Sequence, residues 1–474
     1  MKGIISYSTY IPWLRLTPDT EGWENPFERA VANFDEDPIT MAVSAGRTCL
    51  KHQDSKDIKA LLFCSTSAPY AEKQNAALIA TALGLNADAL TLDLGGSLRS
   101  GTLGILTALN MLEAYPHGSI LVIAAETRLA MPRSTLNDSI GDGAAAILLG
   151  RGKVIATIEH HQSTSSVIYD QWRESNSRYT VQWEDRFVAD NGIETMVVNS
   201  VKTLLADSRL ETTDIKRFAF NSSNPRQSNK IKNSLGATNN QIDTTIIDKI
   251  GNTGSAMALM ELCFSLEQAT AKHEWICLSS YGDGVDTLLV LTQEDYRIPN
   301  QIIPNICQLI TSKNTIPSYE KYAHLKDLWP IAESVRRPEA QPPSVPAIYR
   351  EQEKNILLRA GQCNECNYVQ YPMQKICVNC QRQTSYTIID LSNTRANLYT
   401  YSMDYLAGSL DSPLVICTIN FESGGRMLGV MTDRALDEIY VGMPLEMSFR
   451  KVTEHQGVKS YFWKAIPMRI KRGE

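Results

Sequence analysis

Residues 90–112, LTLDLGGSLRSGTLGILTALNML, and residues 244–266, TTIIDKIGNTGSAMALMELCFSL, repeat one pattern in a single chain. Each begins with strand-forming residues, passes through a glycine-rich turn and ends in an apolar helical segment. The match extends outward, because DIKALLFCSTSAPY from Asp57 corresponds to DIKRFAFNSSNPR from Asp214, and each copy closes with Gly-Asp-Gly and another strand. The repeat predicts a duplicated α/β fold, in layers whose buried strands are largely parallel.

The repeat also sets the expected domain organisation. Residues 1–295 form the α/β domain, with halves of about 1–155 and 156–295. Residues 296–345 form a Pro-rich connecting segment, in which SYEKYAHLKDLWPIAESV (318–335) is a short helix. Residues 346–385 contain a helix and a cysteine cluster. Residues 386–474 contain five short strand-like segments separated by turn residues, which predicts a small closed β-barrel of the OB type.

Composition limits the classes of function. The chain has 474 residues, of which 43% are hydrophobic and 21% charged, as in ordinary globular proteins. A net charge of −6 argues against a general nucleic-acid or membrane-surface binder. No apolar run has the roughly 18–20 residues of a membrane span, and the N-terminal residues lack a secretory pattern. We therefore expect a cytoplasmic protein without nucleic-acid or membrane partners.

Four of the ten cysteines form a cluster that is typical of a metal site. Two Cys-x-x-Cys pairs are separated by ten residues, and they comprise Cys363, Cys366, Cys377 and Cys380. Four thiolates complete the tetrahedral set that suits Zn²⁺ and leave no open position for a substrate. The pattern predicts a structural zinc ribbon, not a catalytic metal.

These motifs resemble known families. The duplicated halves, the turn at Gly251–Gly254 and the paired Gly-Asp-Gly motifs resemble the thiolase superfamily, in particular 3-hydroxy-3-methylglutaryl-CoA synthase and ketoacyl synthase III. The tail resembles the zinc-ribbon OB proteins that accompany archaeal thiolase and that synthase, in LYTYSMDYLAGSLDSPL, GGRMLGVMTD and YFWKA. The resemblance implies a five-layer fold, a coenzyme A thioester as ligand, a homodimer, and a larger complex with a thiolase-like protein.

The chain departs from the catalytic pattern of that superfamily at three positions. Alignment on Gly101-Thr102 places Leu98 where those enzymes have a nucleophilic cysteine. Asn221 stands at the position of their histidine and Thr66 at that of the synthase's acidic residue. None of the seven histidines falls in these loops, and only Asn252 matches the functional set. Ordinary synthase chemistry is therefore not expected.

Other residues near these positions are candidates for a substitute chemistry. Tyr70 and Glu72 follow the first-half loop and could move a proton, as a retro-aldol reaction requires, or simply begin a helix. Ser100, like Ser97, could act as a nucleophile, although an N-cap is the simpler role. Arg99 could hold a phosphate or carboxylate of the ligand, or lie in solvent.

Asparagines and one buried cysteine complete the candidates. Asn221, Asn224 and Asn252 could form a cluster that stabilises an oxyanion, or they could serve as turn residues. Cys64 ends a strand beside the first-half loop, where a buried structural thiol is the simpler interpretation.

Two hypotheses of function follow. In the first, the protein makes or breaks a carbon–carbon bond on an acyl-CoA or related thioester without a cysteine nucleophile. In the second, it is a non-catalytic subunit that binds acyl-CoA or assembles with an active thiolase-like partner. Nucleic-acid binding by the barrel is disfavoured, because its aromatic residues are not interleaved with basic ones.

Overall fold

The computed structural model describes residues 1–222, 224–293, 304–329, 342–407 and 409–469. They divide into two compact units. The first unit contains Met1–Ala32 and Asp37–Tyr322, and the second contains Asn33–Glu36 and Ala323–Lys471. No helix in the described part of the chain combines the length and apolar composition needed to cross a membrane.

Strands and helices alternate through the first unit, and strands dominate the second. The strands are β1 (Lys2–Tyr10), β2 (Leu14–Leu16), β3 (Arg29–Val31), β4 (Ile58–Cys64), β5 (Leu90–Leu94), β6 (Ser119–Glu126), β7 (Gly143–Arg151), β8 (Ala156–Ser165), β9 (Gln171–Trp172), β10 (Val181–Gln182), β11 (Ile215–Phe220), β12 (Trp275–Tyr281), β13 (Gly284–Thr292), β14 (Asn314–Thr315), β15 (Arg359–Cys363), β16 (Val369–Gln370), β17 (Tyr386–Asp390), β18 (Ala396–Asp404), β19 (Leu414–Phe421), β20 (Arg426–Met431), β21 (Pro444–His455) and β22 (Val458–Pro467). The α-helices are α1 (Pro38–Cys49), α2 (Asn75–Ala82), α3 (Ser100–Met111), α4 (Asp185–Asn191), α5 (Ile193–Asp207), α6 (Pro225–Leu235), α7 (Thr245–Lys249), α8 (Met257–Glu267), α9 (Ile306–Thr311), α10 (Tyr319–Leu325), α11 (Val345–Arg350) and α12 (Gln352–Asn355).

Nine strands of the first unit form one sheet in the order β11-β12-β13-β8-β1-β7-β6-β4-β5. The order shows the duplication, because β1, β7, β6 and β4 correspond to β8, β13, β12 and β11, and β1 pairs with β8 at the junction. The predicted duplication is confirmed. The prediction of largely parallel strands is wrong, because the strand after each Gly-Asp-Gly motif (β7 or β13) pairs antiparallel with both of its neighbours. Parallel pairing is found at β4–β5, β4–β6 and β11–β12.

Helices form the remaining layers of this unit. In the middle, α3 packs on β4, β6 and β7, α8 packs on β1, β7, β11 and β12, and the two helices contact each other. On the outside, α1 packs on β1, β6 and β7, while α5 packs on β8, β12 and β13. Every residue of α8 from Met257 to Leu266 is buried, as expected for a helix that packs on strands from both halves of the sheet. The arrangement has five layers.

One predicted strand is a helix instead. The run TTIIDKI contains α7 (Thr245–Lys249), whereas its counterpart in the first half is strand β5. The side chain of Asp243 accepts from the Thr245 N–H at 2.7 Å, and Thr244 donates to the Asp248 carboxylate at 2.7 Å. These local bonds satisfy the first turn of the helix, so the β-branched residues do not extend the sheet beyond β11.

The second unit contains a small sheet and a closed barrel. Strands β16, β15 and β17 form the sheet, and β18-β19-β20-β22-β21 close the barrel, which confirms the predicted five-stranded barrel. Phe449 and Trp463 are fully buried in it. The described part of the predicted helix 318–335 contains α10. Residues 330–335 lie outside the described residues, as do parts of the Pro-rich stretches 297–305 and 336–346.

A cluster of buried charges lies within the second unit. The Arg450 guanidinium contacts the carboxylates of Asp35 at 3.2 Å, Glu36 at 3.0 Å and Asp433 at 2.5 Å. Lys464 lies 2.8 Å from Asp35. A single buried charge costs several kcal/mol, and this penalty is offset here because each charge faces an opposite one.

Asp433 shows the electrostatic balance of the cluster. Burial alone would raise the pKa of its carboxyl group, but Arg450 and Arg469 hold the pKa at about 2. Arg469 lies 2.5 Å from this carboxylate. Since an aspartate in an unfolded chain has a pKa of about 3.9, the folded state favours the charged form.

We predict that Asp433→Asn lowers the free energy of unfolding of the second unit by about 3–5 kcal/mol at neutral pH, because it leaves Arg450 and Arg469 short of a counter-charge. A carboxylate whose pKa is depressed by folding stabilises above its unfolded pKa, and the stabilisation is lost as the pH falls through its folded pKa. The difference between variant and wild type should therefore be constant above about pH 4 and shrink toward about pH 2.

Urea unfolding between pH 2 and pH 7 measures this difference. The matched control is Asp437→Asn, a change at an exposed carboxylate, which should alter the free energy by less than about 0.5 kcal/mol. A difference that stays constant down to pH 2 would contradict the assignment.

Candidate functional site

The loops that follow β4, β6, β11 and β12 meet at one end of the sheet of the first unit. Ser255 Oγ lies 3.3 Å from the Cys64 carbonyl oxygen, so the turn before α8 contacts the end of β4. Ser97 donates to the Gly282 carbonyl at 2.7 Å, so the start of α3 contacts the end of β12. Ligands of α/β proteins bind at the carboxyl ends of strands, which makes this end the candidate site.

Leu98 lies in the turn just before α3. A Cβ atom on Gly282 would come within 2.9 Å of the Leu98 nitrogen and 3.0 Å of the Arg99 nitrogen, so only glycine permits this close approach. The turn therefore presents the helix N-terminus to the site, but the side chain at its tip is an apolar Leu98. Leucine cannot form an acyl-enzyme.

The buried cysteines of this unit are not activated as nucleophiles. Burial raises the pKa of the Cys49 and Cys277 thiols to about 12, and it raises the pKa of Cys64 and Cys263 well above the ordinary value. A thiol without thiolate character is a poor nucleophile. Cys64 is fully buried at the end of β4, which agrees with the structural interpretation. The exposed Cys307 lies on α9.

Arg99 faces the interior rather than solvent. Its guanidinium donates to Asp286 at 3.0 Å, Thr164 O at 2.9 Å and Ser163 Oγ at 3.1 Å. Asp286 is fully buried and also accepts from Thr102 at 2.7 Å. The pair joins α3 of the first half to β13 of the second, and a ligand anion would have to displace these acceptors. Ligand binding by Arg99 stays a prediction.

The serines near Leu98 differ in their contacts at the start of α3. The N-cap residue is Arg99, without a capping side chain, so the expected N-cap role is wrong for Ser100. Ser97 lies two residues earlier, and its hydroxyl accepts from the Arg99 N–H at 3.4 Å. The Ser97 hydroxyl also donates to Gly282. Ser100 is buried, and its hydroxyl makes no hydrogen bond within the described residues.

Asn221 and Asn252 come together at this end of the sheet. The Asn221 side chain accepts from the Tyr281 N–H at 2.7 Å and donates to the Tyr281 carbonyl at 2.8 Å. These two bonds continue the pairing of β11 with β12 beyond the end of β11, with a side chain in place of the backbone. Asn252 donates to the carbonyl of Ser222, the residue after Asn221, at 3.2 Å. Each amide nitrogen has two hydrogens, and one is used in these bonds.

The other predicted residues make contacts within their own loops. Asn224 is exposed and N-caps α6, accepting from Gln227 N–H at 3.0 Å. The Tyr70 N–H donates to Asn75 Oδ1 at 3.2 Å, and Glu72 is exposed in the same loop, before α2. The structure connects Asn252 to Ser222, the residue after Asn221, and the roles of Asn221, Asn252, Tyr70, Glu72 and Asn224 stay predictions.

A buried carboxylate that the sequence interpretation missed organises the site. Glu126 ends β6 and is fully buried. Its Oε1 accepts from the Thr66 N–H at 2.8 Å, the Thr66 hydroxyl at 2.9 Å and the Ser255 hydroxyl at 2.6 Å. The Ser67 hydroxyl donates to Oε2. Glu126, on the neighbouring strand β6, thus lies directly beside Thr66.

Arg128, two residues further on, was also missed. Its guanidinium donates to Asn252 Oδ1 at 3.0 Å and to Gln171 Oε1 at 2.9 Å. Burial lowers the pKa of Arg128, and the Glu126 carboxylate opposes the shift. The available signal in the sequence was a glutamate and an arginine directly after the apolar run SILVIAA, where buried charges require partners.

The four-cysteine cluster forms a second candidate site, in the second unit. All four Sγ atoms lie within 4.8 Å of one another, with Cys363 and Cys380 3.7 Å apart and Cys366 and Cys377 3.6 Å apart. A disulfide would require about 2.05 Å. Tetrahedral bonds of about 2.3 Å from one ion place sulfur atoms about 3.8 Å apart, so the four thiols fit one metal ion.

The turns around the cysteines have matching geometry. The residue after each Cys-x-x-Cys pair has a positive φ, 59° at Asn367 and 58° at Gln381. Each also donates its N–H to the first cysteine of its pair, at 2.8 Å to the Cys363 carbonyl and 2.9 Å to the Cys377 carbonyl. The turns direct all four sulfur atoms toward one point, and four protein ligands close the coordination sphere.

Comparison with known proteins identifies the two folds. Residues 205–292 match the 3-oxoacyl-[acyl-carrier-protein (ACP)] synthase III C-terminal family, and residues 389–450 match the ChsH2 C-terminal OB-fold domain. The hydroxymethylglutaryl-CoA synthase of Thermococcus gammatolerans is 27% identical over 335 residues, covering 68% of this chain and 95% of that protein. The synthase of Methanocaldococcus jannaschii is 29% identical over 299 residues, covering 60% and 86%.

Solved structures agree on the fold. An HMG-CoA synthase complexed with CoA superimposes with a TM-score of 0.60 at 17% identity, covering 72% of this chain and 94% of that one. The 3-oxoacyl-[acyl-carrier-protein] synthase III from Aquifex aeolicus gives 0.55 at 16% identity, covering 62% and 100%. The chain therefore carries a thiolase-like α/β domain followed by an OB-fold domain, as the resemblance implied.

We predict that Glu126→Ala destabilises the first unit by about 3–5 kcal/mol, because it removes a buried acceptor from several donors at once. Glu126→Gln should cost less, since its amide keeps one acceptor oxygen. Urea unfolding measures both. Glu113→Gln is the matched control, because Glu113 is an exposed glutamate that pairs with Lys2 and Arg151 at the surface, and little change is expected. An alanine variant as stable as wild type would contradict this role of Glu126.

Proposed function

We propose that the thiolase-like unit binds an acyl-CoA thioester at the loops after β4, β6, β11 and β12, and makes or breaks a carbon–carbon bond on it without an acyl-cysteine intermediate. Support for the ligand comes from the relatives, which are hydroxymethylglutaryl-CoA synthases, and from a structural neighbour that holds CoA. The arrangement of the loops supports the place of binding.

The residues around the start of α3 support the absence of an acyl-cysteine intermediate. Leu98 lies in the turn just before α3, at the position where the resemblance implies a nucleophile, and the nearby Cys64 is buried with a raised pKa. Asn252, by contrast, keeps buried hydrogen bonds with Arg128 and Ser222. We infer that the site stabilises charge but does not form a covalent intermediate.

Fixed dipoles of the protein would then supply most of the stabilisation of the negative charge that develops on the thioester oxygen. In the cleavage direction a base removes the hydroxyl proton of a 3-hydroxyacyl thioester, the bond between C2 and C3 breaks, and its electron pair moves to the thioester as an enolate that is protonated at C2. The second Nδ2 hydrogen of Asn252 is suited to donate to that enolate oxygen. Tyr70 and Glu72 are the proposed proton carriers.

Leu98 and Asn221 also favour a second candidate function. Both stand at positions where the resemblance implies titrating groups, and neither side chain titrates near neutral pH. Such a chain could act as a non-catalytic subunit that binds acyl-CoA or assembles with an active thiolase-like partner. Turnover by the purified protein distinguishes the two functions.

We also propose that the ion of the second unit is Zn²⁺ with a structural role. Four thiolates are its preferred structural ligand set, and a closed coordination sphere holds a small sheet together without taking part in the reaction. The short strands β15, β16 and β17 have little core of their own, so metal binding would stabilise them.

We predict that the purified chain binds acetyl-CoA, acetoacetyl-CoA or a 3-hydroxyacyl-CoA in calorimetry and releases a cleaved or condensed product without gaining mass on any residue. Leu98→Cys should become acylated when mixed with the same thioesters, because the start of α3 favours a thiolate. Intact-protein mass spectrometry and chromatography of CoA products provide the measurements.

Each outcome of this experiment leads to a different conclusion about the function. An acyl adduct on the wild-type chain would refute the absence of a covalent intermediate. Binding without turnover would favour the non-catalytic subunit, and the absence of binding by every thioester would contradict the proposal as a whole. Acylation of Leu98→Cys alone shows that the site accepts a thioester at that turn.

We further predict that the wild-type chain holds about one zinc ion and that Cys377→Ser loses it, with the second unit destabilised by several kcal/mol. Metal analysis after dialysis and thermal unfolding measure these changes. Cys417→Ser is the matched control, since Cys417 is a buried cysteine of strand β19, outside the cluster, and should leave the zinc content unchanged. Retention of zinc by Cys377→Ser would contradict the ligand set.

A further inference from the structure

Arg128 reaches the Asn252 amide from the end of β6. Its Nη2 lies 3.0 Å from Asn252 Oδ1 and 3.4 Å from the Asn252 carbonyl oxygen. Its Nη1 lies 2.9 Å from the side-chain oxygen of Gln171, on β9. Arg128 is 5% exposed and Asn252 is 4% exposed. The bond between them is therefore shielded from water, where a charge-assisted hydrogen bond is strongest.

The backbone of Asn252 is already fixed by other contacts. Its N–H donates to the Ser139 carbonyl at 2.8 Å, and its carbonyl accepts from the Gly141 N–H at 3.1 Å. The side chain retains one freedom, because rotation of the terminal amide by half a turn exchanges its oxygen and nitrogen. Only the nitrogen can donate to a substrate oxygen, so the orientation of the amide decides whether it can stabilise an enolate.

Two donors set this orientation. Arg128 and the Gly254 N–H, at 2.8 Å, both point at Asn252 Oδ1. After a half-turn rotation the NH₂ group would face a guanidinium and a backbone N–H. The Gly254 N–H would lose its acceptor, and Arg128 Nη2 would keep only its longer contact with the Asn252 carbonyl oxygen, at 3.4 Å. Each buried unsatisfied group costs about 1–3 kcal/mol, and more where charge is involved. Arg128 therefore holds the nitrogen on the side away from itself.

Gly254 makes this approach of Arg128 feasible. A Cβ atom on Gly254 would lie 2.8 Å from Arg128 Nε, and the glycine has a φ of 57°, in the left-handed region. The last glycine of the Gly-Asn-Thr-Gly turn thus permits the left-handed backbone of the turn and leaves room for the Arg128 side chain. The nearby Glu126 carboxylate balances the buried charge.

We propose that Arg128 is a positioning residue for the thioester site: it fixes the Asn252 amide with Nδ2 directed toward the substrate oxygen. This inference rests on the proposed function, because it assigns Asn252 as the donor to the developing oxyanion. Arg128 itself makes its contacts with Asn252 and Gln171 and acts through the amide.

The first test observes the amide directly and requires no substrate. Selective ¹⁵N-asparagine labelling of the full chain, with Asn252→Ala for assignment, identifies the Asn252 side-chain signal. We expect Arg128→Gln to increase the hydrogen-exchange rate of this amide at least about tenfold, and Arg128→Lys to have a smaller effect because it keeps one charged donor. An unchanged signal and exchange rate in Arg128→Gln would overturn the proposal.

The second test uses turnover of the best thioester and a double-mutant cycle. Arg128→Gln should lower kcat about tenfold to a hundredfold with little change in KM, as misplacement of a transition-state donor does. In the Asn252→Ala background the same change should have no further effect on kcat, while its loss of thermal stability persists. Additive losses of kcat would show a merely structural role and overturn the inference.

Arg133→Gln is the matched control for removing an arginine near the same loop. Arg133 donates to the Gly22 carbonyl and its guanidinium lies 3.9 Å from the Tyr319 ring centre, so this change should leave kcat and the Asn252 signal as in wild type. The two tests separate the proposals. If the wild-type chain turns over no thioester, the proposed function fails, and the ¹⁵N experiment still decides whether Arg128 orients the amide.

Discussion

Burial of the Glu126 carboxylate is the constraint on which the site depends. A charge removed from water has to be surrounded by donors, or it costs more than the fold can tolerate. Its donors come from two places: Thr66 and Ser67 after β4 in the first half, and Ser255 before α8 in the second. Because one carboxylate requires both, the loops of the two halves have to converge. The position of the Gly-Asn-Thr-Gly turn follows from that requirement.

A second buried carboxylate, Asp286, also connects the two halves of the domain. Asp286 belongs to the second half and takes its donors from Arg99 and Thr102, which begin α3 of the first half. Each half thus contributes a carboxylate whose donors lie partly in the other. Hydrophobic contacts between α3 and α8 resist separation but are not directional, whereas these hydrogen bonds fix how the helices are placed. Arg99, which the sequence also predicts as a ligand anchor, connects the two halves through this ion pair.

Much of the fold could be predicted from local patterns, and the exceptions have physical reasons. The repeat, the barrel strands and the cysteine cluster are visible because each depends on short-range spacing of residues. The helix α7 in TTIIDKI was missed because isoleucine and threonine favour strands, while side-chain bonds from Asp243 and Thr244 decide the local structure. The antiparallel pairing after Gly-Asp-Gly also depends on distant partners. At the site, the apolar residue at Leu98 could be read from the sequence. The contacts of Glu126 and Arg128 could not, since their partners are 60 and 124 residues away.

The absence of a titrating group at Leu98 changes what the site requires of its other residues. A fixed dipole stabilises a developing charge only if it already points at that charge. Loops alone seldom hold a side chain so firmly. Here strand β6 provides the rigid support. Glu126 at its end holds the Thr66 loop, and Arg128, two residues later, holds the Asn252 amide. Burying the charge of Arg128 beside Asn252 is costly, but an amide oxygen accepts its strongest hydrogen bonds from a charged donor. The buried arginine therefore suits a site that depends on the orientation of that amide.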